Sequence, residues 1–149
     1  MPVYILLLAL AGMAVQATFI TVEHAEKYTP AVALKGTAAA LFCLIGFAGM
    51  QSATNPGFAR LIVIGLVFGA LGDVLLNLRF VFPEKGQKIF LAGVAAFLTG
   101  HILYLAALIP LSHSLMTCLM LGAAAAAALL WWIFSTLTVK LAFKIFGVL

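Results

Sequence analysis

The chain has 149 residues, of which 66% are hydrophobic and 8% charged. A soluble domain of this length is about half apolar and a quarter charged, so the excess excludes a water-soluble globule and places the chain among integral membrane proteins. Eight basic and four acidic residues give a formal charge of +4. The basic ones lie mainly in loops and at helix ends, a pattern that orients a membrane protein and makes no case for nucleic-acid binding.

Residues 3–20 form the first apolar run. A hydrocarbon core of ~30 Å takes about 17–25 helical residues, so the run is just sufficient to cross it. A cleaved signal peptide competes, with small residues at Ala14 and Ala17, but no Lys or Arg precedes the run. Residues 21–30 carry Glu23, His24, Glu26 and Lys27 and read as a solvated loop. The second run covers residues 31–50, with Lys35 near its start, and Asn55, Pro56 and Gly57 mark a turn at 51–57. The third run is 60–79. A loop with Phe82, Pro83, Glu84, Lys85, Gly86 and Lys88 leads to the fourth, 89–109, which Pro110 closes.

The fifth run, 115–134, contains six consecutive alanines and ends near Trp131 and Trp132, a pair that suits an interfacial aromatic belt. Residues 135–149 are apolar apart from Lys140 and Lys144 and read either as an interfacial tail or as the start of a further span. The expected fold is an all-α, polytopic helical bundle of about five transmembrane helices forming a single domain over residues 1–149.

With five spans, one side of the membrane holds the N-terminus and only Arg60 among the basic residues of the loops and helix ends. The other side collects Lys27, Lys35, Arg79, Lys85, Lys88, Lys140 and Lys144. The positive-inside rule puts that second side in the cytoplasm and the N-terminus outside. The membrane is then the plasma membrane of a bacterium, or otherwise that of the endoplasmic reticulum. Cys43 and Cys118 both lie inside apolar runs, fit no metal spacing and read as small buried hydrophobes. Neither a metal nor a cofactor is expected.

The third run holds the most informative residue, Asp73. A charge within the hydrocarbon costs roughly 2.5–3.5 kcal/mol on insertion scales, so such residues usually face a bundle interior or a wet cavity and mark function. Gly65, Gly69, Asp73 and Asn77 follow one another at intervals of four, which stacks them on one helix face. The stripe offers a groove to a neighbouring helix and sets a carboxyl in it. The fourth run answers with Gly93, Phe97, Gly100, His101 and Tyr104 on one side. His101 stands roughly 18 Å from the loop end of its run and Asp73 roughly 9 Å, at 1.5 Å per residue. A direct bond between them needs tilt or a bridging water, although both can line one cavity. Lys35 starts from the same side, and its long stem is able to reach Asp73.

Each candidate also has a purely structural reading. On that reading Asp73 only fixes helix register through Lys35 or His101, His101 makes an interhelical hydrogen bond, Tyr104 packs, and Lys35 is a snorkelling anchor. The glycines serve helix packing in any case. No G-x-S-x-G elbow, H-E-x-x-H motif or phosphate loop occurs, so a serine triad or a zinc hydrolase is unsupported.

GLVFGALGDVLLNL at 65–78, followed by FLAGVAAFLTGHILY at 90–104, resembles the YhhN family of integral membrane proteins, which includes the lysoplasmalogenases, also called transmembrane protein 86. The paired motifs are Gly-Asp in one helix and Gly-His-x-x-Tyr in the next. Lys35 matches a lysine that the family carries early in its second run, usually before proline; here Gly36 follows. The resemblance covers roughly 35–132 and implies hydrolysis of the vinyl-ether bond of lysoplasmalogens in lipid metabolism. The products are a fatty aldehyde and a glycerophospho-ethanolamine or -choline. It casts Asp73 as acid or base and His101 as its partner, with Lys35, Tyr104 and Asn77 binding substrate.

Family members are longer, with about eight spans by the resemblance, and carry a second intramembrane acid that this sequence does not contain. The expectation is that the C-terminal part is lacking, so that the site is completed in a homo-oligomer or is inactive. The alternative function is a small oligomeric transporter that uses Asp73 as a proton or cation site. Expected partners are the lipid bilayer and a lysophospholipid.

Overall fold

The structure, a computed structural model, describes residues 3–136. Among these are five α-helices: α1 (Val3–His24), α2 (Tyr28–Met50), α3 (Pro56–Val81), α4 (Gly86–Leu108) and α5 (Leu115–Thr136). Short 3-10 turns stand at Pro83–Lys85 and Ile109–Leu111. All five helices are long and apolar enough to cross a membrane, and the chain is an all-α integral membrane protein. The part of the expected tail from residue 137 onward, with Lys140 and Lys144, lies outside the described residues.

The helices extend past the apolar runs at both ends, because polar residues at a helix terminus reach the interface without breaking the helix. The loop expected at 21–30 shrinks to residues 25–27. Glu26 reverses the chain there in a left-handed conformation, φ 57°, which a non-glycine residue seldom adopts. The breakers at Asn55 and Pro56 turn out to be start signals. Asn55 Oδ1 accepts a hydrogen bond from the Phe58 amide at 3.0 Å, and Pro56 takes a first-turn position whose amide needs no partner.

The chain divides into two compact units, residues 1–110 and 111–149. In the first, α1 packs on α2, α2 on α3, and α3 on α4. The short connections make successive helices antiparallel, so the α1–α2 and α3–α4 loops share one end, which carries Glu26, Lys27, Glu84 and Lys85. The buried positions are mostly small: Ala31, Ala59, Gly65, Gly72, Gly93, Gly100 and Ala107, with Phe19 the large exception.

Leu7 and Leu98 are 60% and 61% exposed and face outward. Lipid tails solvate leucine as well as a protein core does, so helices in a bilayer associate through small residues that let backbones approach. The hydroxyls of Thr18, Thr37 and Thr99 each donate to the carbonyl four residues back, at 2.8–2.9 Å. Those groups are thus satisfied without water. In the second unit, α5 presents Trp131 and Trp132 on its surface.

Candidate functional site

Depth from the loop end brings two charges together. Lys35 is seven residues past the start of α2, about 10 Å, and Asp73 is eight residues before the end of α3, about 12 Å. Lys35 Nζ lies 3.5 Å from Asp73 Oδ1, with side chains 20% and 37% exposed. The ammonium also sits 4.9 Å from the ring centroid of buried Phe19 on α1. The lysine is therefore held between a carboxylate and an aromatic face and does not snorkel outward.

Both charged groups line a cavity of about 560 Å³ bounded by α1, α2, α3 and α4. Its wall is apolar except for Gln16, Lys35, Asp73 and Tyr104. A largely apolar pocket with a few convergent polar groups is the usual form of a small-molecule site.

The four-spaced stripe on α3 splits between packing and cavity. A Cβ on Gly65 would run into the Tyr104 ring, and one on Gly100 would come within 2.9 Å of the Gly65 carbonyl oxygen. Gly69 has open space where its Cβ would be and, like Asp73, lines the cavity. Asn77 is buried off the cavity wall, and its Oδ1 has no hydrogen-bond partner among the described residues.

The physical reason is rotation: a step of four residues turns about 40° past a full circle, so the stripe winds round the helix. A step of seven falls only about 20° short of two circles. The packed small residues follow that spacing, with Gly65 and Gly72 on α3 facing Gly93, Gly100 and Ala107 on α4. The ring of Phe97 covers Gly72, and Leu75 and Leu76 cover Gly93.

His101 lies outside this arrangement. It is exposed, and its Nδ1 donates to the Phe97 carbonyl oxygen of its own helix at 2.8 Å, which leaves the lone pair of the neutral ring on Nε2. Its ring stands edge-on to Tyr104, centroids 6.1 Å apart, and it does not line the cavity. The structure thus brings Lys35, Asp73 and Tyr104 to one wall and leaves His101 and Asn77 off it.

The sequence reading missed Gln16. Its signal was present, since it is an amide inside an apolar run, at the same depth as the ion pair. At the loop end, the Arg79 guanidinium lies over the rings of Phe80 and Phe90, 4.5 and 4.9 Å away, and Tyr28 stacks on Phe80. This cluster clamps the ends of α2, α3 and α4 beneath the charged loops.

A model of the YhhN family matches residues 31–149, a span that includes Lys35, Asp73, His101 and Tyr104 but not α1 with Gln16. No curated protein and no solved structure matches the chain.

Proposed function

The chain belongs to the YhhN family, and on that premise we propose that it hydrolyses the vinyl-ether bond of lysoplasmalogens. The observation that carries this reading is an acid paired with a lysine on the wall of an otherwise apolar, membrane-embedded cavity.

A vinyl ether breaks when its alkene carbon is protonated. The resulting oxocarbenium ion takes up water, and the hemiacetal collapses to a fatty aldehyde and the free glycerol hydroxyl. One carboxyl can serve both proton transfers. In its protonated form Asp73 delivers a proton to the alkene carbon; the carboxylate left behind, the form held in the ion pair with Lys35, accepts a proton from the attacking water, and the protonated form is restored. Lys35 stabilises the carboxylate midway, when the oxocarbenium charge is present, and its ammonium attracts the phosphate of the substrate. Net, one water is consumed and no proton is gained or lost.

The positive-inside rule supports placing the loop end, with Lys27, Arg79, Lys85 and Lys88, in the cytoplasm. A cation transporter is the second reading. Against it, the Lys35 ammonium already occupies the position beside Asp73 that a transported cation would take.

The test is aldehyde release from lysoplasmalogen by the purified protein in phospholipid vesicles. Release that disappears in Asp73→Asn supports the proposal. Equal release by that variant removes Asp73 from the mechanism, and no release by the wild-type chain overturns the activity.

A further inference from the structure

The cavity is sorted by polarity along the membrane normal. Gln16 lies eight residues before the end of α1, so Gln16, Lys35 and Asp73 from three helices all stand about 10–12 Å from the loop end. Leu8, Leu66 and Tyr104, also on the wall, stand about 22–27 Å from that end on the same count. Between these levels the wall is wholly apolar, with Gly12, Ala38 and Gly69 leaving room beside the larger Met13 and Phe97. One end of the cavity is therefore polar, and an apolar channel about 10–15 Å long leads away from it.

The far end has a floor. The Tyr104 ring rests on Gly65, the one place on α3 where the absence of a Cβ lets an aromatic ring lie against the backbone at this depth.

We propose that the channel takes one hydrocarbon chain of an amphiphile whose polar end lies at Gln16, Lys35 and Asp73, and that the Tyr104 ring on Gly65 sets the longest chain accommodated. This rests on the hydrolase reading for the identity of the amphiphile, but the channel is testable without hydrolysis. Each methylene moved from water into an apolar site strengthens binding about fourfold. That gain stops when the chain meets the floor.

The experiment measures binding of uncleavable alkyl phosphocholines of graded chain length, below their micelle-forming concentrations, to the full chain in nanodiscs. Wild type should gain about fourfold per methylene and then level off. Tyr104→Ala should move the plateau to longer chains, Tyr104→Phe should leave it in place, and Leu8→Phe should move it to shorter ones. A plateau that stays put in both Tyr104→Ala and Leu8→Phe, or no plateau in wild type, overturns the proposal. If Tyr104→Ala does not fold, Leu8→Phe decides alone. A moved plateau with no aldehyde from lysoplasmalogen keeps the channel and ends the hydrolase reading; aldehyde release with an unmoved plateau does the reverse.

Discussion

Lys35 and Asp73 meet 3.5 Å apart from helices that run in opposite directions, and each lies about two turns inside the loop end. The pair depends on this match in depth, since moving either residue by one turn would separate the charges by about 5 Å. Removing one partner leaves the other charge alone among apolar groups, whereas removing both leaves none. Lys35→Met should lower stability by about 1–2 kcal/mol, discounted for the partial exposure of the pair, and Lys35→Met with Asp73→Asn should recover most of it. Thermal melting of wild type and the two variants in one detergent checks this; equal melting of the single and double variants would show that the charges are not coupled.

Asp73→Asn keeps the shape of the side chain and removes its acid–base function. Loss of a general acid or base slows a reaction by about 10²- to 10⁴-fold, and aldehyde release should fall by at least the lower figure. The effect belongs in kcat, with substrate binding largely retained.

His101→Ala should change aldehyde release less than about threefold, because the ring is turned to its own helix and off the cavity wall. A loss comparable to that of Asp73→Asn would place the imidazole in the reaction and require a different disposition of α4.

Two glycines separate packing from space. Gly100→Ala puts a methyl group against the Gly65 carbonyl oxygen, a backbone atom that cannot move aside unless the helices part, and should cost about 1–3 kcal/mol. Gly69→Ala meets nothing within 4 Å and should be neutral or slightly stabilising through helix propensity, while narrowing the cavity. Melting temperatures rank the two.

Asn55→Ala removes the side-chain acceptor of the Phe58 amide at the start of α3 and should cost about 1 kcal/mol. Asn55→Asp should preserve the cap, so melting of the two variants separates the hydrogen bond from general effects at this loop.

The number and type of elements were legible in the sequence because hydrocarbon imposes a minimum length of apolar helix and the runs meet it. Their ends were not, since apolar composition stops where the membrane does, and helices such as α1 and α2 continue into the interface. Asp73 and Lys35 stood out as charges in apolar runs, and their equal depth made contact between them reachable by counting. The fate of the glycines was harder. Spacing of four drew Asn77 and Gly69 into one supposed groove, while the contact with α4 follows a spacing of seven that leaves Asn77 and Gly69 on different sides. His101 was drawn toward Asp73 by chemistry alone; which way an imidazole turns depends on local carbonyl partners that spacing does not reveal.

The dependence of the helix contacts on glycine reverses the usual map of mutational tolerance. In a water-soluble enzyme, swapping one big aliphatic or aromatic side chain for another is risky and adding a methyl to a glycine is often harmless. Here Leu7 and Leu98 should accept almost any oily replacement, and the fragile positions are those, such as Gly65 and Gly100, that carry no side chain at all.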